Sequence, residues 1–232
     1  MPHILRIATD FFATKPPTCQ AGFKLPKLIT VTGTENFHYF YPMENYIIDQ
    51  QITGKIFNPD DIMYKDFERC TFTQCDFTAC NFTGVAFIDC NFISCNFSEA
   101  KINYVGLRGA FFDNCNFTGV NFSMVDKLFF SVEFKNSTLD YAKFYTLKIK
   151  GTIFTDCSLI AVDFMSTDLT EVLFDNCNLH KAVFHDSIAQ KADFTTSYNF
   201  SIDPERNKLR RARFSQEGLK GLLEKYEIVV VG

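Results

Sequence analysis

From Phe67 to Phe194 a large apolar residue recurs at every fifth position, and a small residue stands two places before it. An α-helix repeats at about 3.6 residues and a half-buried strand at about 2, so neither carries this pattern. The first block is centred on Phe67, Phe72, Phe77 and so on to Phe122, with Ile102 and Leu107 replacing Phe twice. The frame slips by two residues across Asp126–Lys127 and resumes from Phe129 to Phe194. Of the 26 centres, 25 are Phe, Leu or Ile, and 23 have Cys, Val, Ala, Ser or Thr two places earlier. Lys65, Lys127 and Leu147 are the departures, and both lysines open a block. A unit this short cannot bury its apolar side alone, so the pattern predicts units stacked into a solenoid.

The run Cys75–Gly84, CDFTACNFTG, resembles the bacterial pentapeptide-repeat family, whose unit is a small residue, Asp or Asn, Leu or Phe, and two polar residues. The resemblance covers roughly two-thirds of the chain. It implies an all-β fold, a right-handed quadrilateral β-helix with one quintet per side and four per coil. Parallel crossovers favour that hand in general. One large and one small inward residue per quintet fill a square prism at close packing. The remaining positions are mostly Asn, Asp, Thr, Ser and Gly, which tolerate corners and bond their own backbone. Coils stacked at about 4.8 Å would make some six and a half turns span roughly 31 Å.

Composition adjusts this picture in a few places. The chain has 28 Phe, 18 of them at repeat centres, so its aromatic excess is core filling. Eight of the nine cysteines occupy the small inward position, and Cys19 lies outside the repeat. Five-residue spacing puts neighbours on successive sides, which is no tetrahedral zinc arrangement. Cysteines twenty apart, such as Cys75, Cys95 and Cys115, should stack within Cα range of a disulfide. The expectation is buried free thiols acting as small hydrophobes in a reducing compartment. No apolar run reaches a membrane span of about 18 residues, and Asp10 interrupts the N-terminal apolar stretch, so a cytoplasmic protein is expected.

No phosphate loop, nucleophile elbow or metal spacing is present, and His180 and His185 fall at outward positions. Acidic residues are scattered rather than gathered, and a filled prism leaves no pocket. A non-enzymatic chain without cofactor or metal is expected, working through its outer faces.

The chain divides into a non-repeat extension over 1–42, a repeat region over 43–214 and a cap over 215–232. Residues 1–42 carry Pro16, Pro17, Pro26 and Pro42 and no five-residue phase, and Met43 is expected to be the native start. The phase is faint through Ile47, Ile52, Phe57 and Ile62, a degenerate first coil. Within the repeat region the frame slip falls near 123–128, and residues 196–208, with Asp203–Pro204, predict an external loop. Ser215 can cap a helix whose Leu219, Leu222, Leu223 and Tyr226 form one apolar stripe, and Ile228–Val231 reads as a terminal strand. The ending RARFSQEGLKGLLEKYEIVVVG also resembles, more loosely, the C-terminus of quinolone-resistance pentapeptide proteins, where a helix joins two protomers. The stripe therefore serves either as a cap on its own coil or as a C2 homodimer contact.

Several members of the resembled family mimic duplex DNA and bind type II topoisomerases, DNA gyrase or topoisomerase IV. A mimic about 31 Å long would need on the order of 18 negative charges. Residues 60–200 hold 18 acidic and 11 basic residues, a net of −7. Steps of twenty, with the slip, place Asp113, Glu133, Asp156, Asp175 and Asp193 on one side, opposed by Lys135. Such acids form a docking stripe or merely satisfy nearby backbone. The basic cluster Lys208, Arg210, Arg211 and Arg213 has no aromatic platform and reads as a solvated face, without direct nucleic-acid binding. The expected function is a binding protein or scaffold for a protein partner; the alternative is a DNA-mimicking modulator of gyrase.

Overall fold

The computed structural model describes residues 45–128 and 130–229, so the 1–42 extension, the start at Met43 and the centre at Phe129 lie outside the described residues. The chain winds as a parallel β-solenoid in which each paired residue lies over the one twenty places earlier, or twenty-two across the slip. On one side β1 (Tyr46–Ile48), β3 (Asp66–Glu68), β5 (Ala86–Ile88) and β7 (Gly106–Arg108) form a short parallel sheet. The next side is a seven-stranded long sheet: β2 (Gln51–Thr53), β4 (Thr71–Thr73), β6 (Asn91–Ile93), β8 (Ala110–Asp113), β9 (Val132–Lys135), β10 (Ile153–Thr155) and β11 (Leu173–Asp175). The other two sides are tight turns joined by single bridges, such as Asp76↔Asn96↔Asn116 and Asn121↔Lys143↔Asp163.

The register carries the sequence period directly. Phe72 pairs with Phe92 across β4 and β6 and Phe92 with Phe112 across β6 and β8. Phe112 pairs with Phe134 across β8 and β9, which absorbs the two extra residues of the slip. The insertion leaves Leu128 exposed and Phe130 packed partly against the core.

Inside, the rings stack along each side and meet edge-on at the corners. Phe72 and Phe92 lie 4.9 Å apart at 5° between planes, and Phe194 and Phe214 5.1 Å apart at 2°. Phe112 meets Phe117 across a corner at 4.9 Å and 88°. Both arrangements suit the ring quadrupole, with its positive edge and negative face. Where Ile102 and Leu107 interrupt the ring columns, a void of about 10 Å³ remains among their neighbours. The eight repeat cysteines are free and buried. Their thiols contact the carbonyl of a centre residue one coil earlier, as Cys95 Sγ does at 3.4 Å from Phe72 O. Ser197 fills the same role with a shorter bond, its Oγ donating to Phe174 O at 2.7 Å.

Corners are turned by left-handed backbone two residues after a centre. Besides Gly84 and Gly119, residues as large as Tyr64 (φ 60), Tyr104 (φ 60) and Lys191 (φ 59) adopt it. Outside glycine this conformation costs roughly 1–2 kcal/mol per residue, so the stacked coil imposes it against local preference.

The expected external loop over 196–208 stays largely on the coil. Tyr198 bridges Asn178 and Lys208 bridges Ile188, both at the ordinary twenty-residue step. Asn199 and Pro204 fall at the centre phase and are exposed, and Phe200 turns inward in place of Asn199. Asn207 is buried at the small position, and its Oδ1 accepts bonds from Ser187 N at 2.9 Å and Ser187 Oγ at 2.8 Å. Between these bridges the chain turns to the C-terminal segment, Ile202 N donating to Gly221 O at 3.0 Å, and Pro204 has no N–H to give the ladder.

The C-terminal segment runs from a 3₁₀ turn, Glu217–Leu219, through α1 (Lys220–Leu223) into a second 3₁₀ turn, Glu224–Tyr226. Ile228 and Val229 form no strand, and Val230 and Val231 lie outside the described residues.

Candidate binding face

Two outward columns run up the long sheet. The residues before the centres form the first: Phe111, Glu133, Ile153, Leu173 and Asp193. The second follows the centres: Asp113, Lys135, Thr155 and Asp175. Asp156 stands at the adjoining corner with φ 53. The structure thus brings the five acids to one face but distributes them over three columns. Glu133 and Asp193 are three coils apart, as are Asp113 and Asp175.

Most of these carboxylates are engaged locally. Asp113 Oδ1 accepts from Asn136 Nδ2 at 2.8 Å, and Asp156 Oδ1 from Asn176 Nδ2 at 2.7 Å. Asp175 Oδ1 accepts from Thr196 Oγ1 at 2.9 Å. Asp193 Oδ1 accepts from Thr195 N at 3.0 Å, while Oδ2 pairs with Arg213 Nη1 at 2.8 Å. The Asp193 bond to the backbone two residues on is the Asx turn that favours Asp and Asn at this position. It recurs at Asp76, Asn116, Asp163 and Asp168. Glu133 and Lys135 are exposed in mid-face.

Sequence reasoning missed the apolar members of this face. Phe111, Ile153 and Leu173 are half-buried between the acids, and Ile93 is exposed one coil below Asp113. Their signal was available: each is an apolar residue directly before or after a centre, where the repeat mostly carries polar residues.

At the other candidate, the cap, the expected stripe is divided. Leu222 packs against the core, while Leu219, Leu223 and Tyr226 are exposed. The segment docks through glycines instead. A Cβ on Gly221 would meet Phe200 O at 2.3 Å, and one on Gly218 the Phe200 ring at 2.9 Å. Ser215 Oγ accepts from Gly218 N at 3.0 Å. Lys225 Nζ lies 2.7 Å from both Asp203 Oδ1 and Glu205 Oε2, and Tyr226 donates to Glu205 at 2.8 Å. The Lys225 bonds hold both carboxyls below their ordinary pKa values.

A family model described as a pentapeptide repeat region matches residues 65–144 and 127–198, more than half of the chain. The chain belongs to the pentapeptide-repeat family. Among solved structures it is similar to full-length QnrB1, a plasmid-mediated fluoroquinolone resistance protein. That likeness has 17% identity and a TM-score of 0.50 over 79% of this chain and 100% of the other. HetL, a pentapeptide repeat protein involved in heterocyst differentiation regulation from the cyanobacterium Nostoc sp. strain PCC 7120, matches at 15% identity and a TM-score of 0.34, over 74% of this chain and 88% of its own. No curated protein matches the sequence. At these identities the likeness concerns the fold. No described helix is long and apolar enough to cross a membrane.

Proposed function

We propose that this pentapeptide-repeat chain is a non-enzymatic binding protein that works from the outer faces of its coil, in the cytoplasm, with the long sheet as its principal docking face. The observation that carries this reading is the filled prism, whose inward side chains pack against one another and leave the chemistry outside. The long sheet offers what protein interfaces use: an apolar centre, Phe111, Ile153 and Leu173, bordered by charged residues. Its acids favour a partner with a cationic surface.

A second reading is a DNA-mimicking modulator of DNA gyrase or topoisomerase IV, favoured by the acids on a rigid sheet and by the family resemblance. The spread over three columns and Lys135 in their midst weigh against close imitation of a phosphate row. The exposed Leu219, Leu223 and Tyr226 support a homodimer through the cap. The deciding experiment is gyrase supercoiling with the full chain, with and without a fluoroquinolone. Protection or inhibition at low protein concentration selects the topoisomerase reading; no effect retains the scaffold.

A further inference from the structure

A second surface, at the corner between the second turn side and the short sheet, is independent of the long sheet. Tyr64, Gly84 and Tyr104 succeed one another there, one per coil, all with left-handed backbone. The Tyr64 ring lies against Gly84, where an added Cβ would meet its Cδ1 at 2.7 Å. Tyr104 and Met124 line an open groove with Ser123, Val125, Asp126 and Lys127, and the frame slip places Leu128 next to it. Tyr64 is 49% exposed, Tyr104 69%, Met124 39% and Leu128 74%. Exposed apolar residues scattered singly are ordinary, whereas a contiguous cluster marks an interaction site.

The charge around this ridge has one sign at its centre. Lys101 and Lys143 are exposed in a single column of the neighbouring turn side, bridged to Asn81 and Asn121 respectively, and Lys127 lies in the insertion. Asp163 follows Lys143 in that column, with Val183 beyond it. Asp126 is used locally, its Oδ1 accepting from Leu128 N at 2.9 Å. An aromatic and aliphatic ridge with a lysine rim complements a segment of opposite character.

We propose that the Tyr64–Leu128 ridge docks an acidic protein segment bearing leucine- or phenylalanine-type anchors. Aromatic residues among lysines also suit single-stranded nucleic acid, but Met124 and Leu128 present no planar face for bases to stack on. Aliphatic anchors bury against them directly.

The test is selection of a random peptide library on the full chain, followed by affinities of the enriched peptides for variants. Enriched sequences should combine Asp or Glu with Leu, Ile or Phe. Their affinity should fall at least about tenfold for Y104S/L128S, fall for K101E/K143E, and hold for E133K/D175K on the long sheet. Thermal midpoints of the variants report folding separately. Basic peptides whose binding is lost in E133K/D175K belong to the long sheet. Failure to enrich any acidic sequence bearing Leu, Ile or Phe, or unchanged binding of such peptides by Y104S/L128S, would overturn the proposal. So would tight binding of a labelled oligo-dT lost on Tyr104→Ser, which would give the ridge to nucleic acid.

Discussion

At the scale of single residues, the core is a set of ring columns whose members have no alternative packing. Phe112 touches Phe92, Phe97, Phe117 and Phe134 at 4.8, 5.8, 4.9 and 5.2 Å. Phe112→Ala should therefore cost about 3–5 kcal/mol, since coils held above and below cannot collapse into the gap. Equilibrium denaturation checks this; a cost below about 1 kcal/mol would mean the column relaxes. The thiols obey a different constraint. Burial pushes Cys80 up to about 11 and Cys90 up to about 12. Because these folded-state values are raised, the thiols' contribution is complete below the ordinary thiol pKa. It declines as pH rises from about 8.5 toward the folded values, where the unfolded chain ionises first. At pH 8 the eight repeat thiols should resist an aromatic disulfide reagent until denaturant is added. Prompt reaction in native buffer would show that the coils open locally.

At the scale of elements, the cap is held by glycines and by a charged clamp. Gly221→Ala would force a methyl into Phe200 O and the Phe200 ring, so overpacking of about 1–3 kcal/mol is expected. Hydrogen exchange over Glu217–Tyr226 should accelerate while the strands stay protected. Acid should loosen the same segment. The Asp203 and Glu205 carboxyls are depressed by Lys225, so their contribution is present above the ordinary carboxylate pKa and lost as pH falls below about 4. Lys225→Met should weaken the acid dependence of protection there, leaving the part owed to the Glu205 N–H on Asp203 and to Tyr226 on Glu205. The sequence could not announce this arrangement. The five-residue period made the coils, the two-residue slip and the buried thiols legible, because each inward residue answers to a neighbour at a fixed step. The cap answers to Phe200, which takes the inward place one residue late after Asn199, and that contact has no period. For the same reason the leucine stripe, sound by helical spacing, divides between Leu222 inside and Leu219 and Leu223 outside. The acidic face was legible as a set of positions. Its columns follow from the same frame, which puts Glu133 and Asp193 before a centre, Asp113 and Asp175 after one and Asp156 two after. The local partners of these acids, such as Asn136, Thr196 and Arg213, have no such signal.

At the scale of the whole solenoid, each coil touches only its neighbours, so changes on an outer face remain local. That locality allows the long sheet to be tested by charge alone. Converting Glu133, Asp156 and Asp175 to Lys moves the formal net charge from −4 to +2, each site changing by two units. Glu133 is exposed, and Asp156 and Asp175 would give up their surface bonds to Asn176 and Thr196. Losing two such bonds costs about 1–2 kcal/mol together, since surface pairs are weak and backbone ladders are untouched. In a domain of this size that lowers the melting temperature by roughly 2–8 °C. The field over the face changes far more, because acids beside Ile153 and Leu173 become cations. Binding to a cationic partner should then disappear in the triple variant while its circular dichroism spectrum stays that of the parent. A fall in melting temperature well beyond that range would assign these carboxylates to the architecture of the coil, and full partner binding by a folded triple variant would move the docking site to another face.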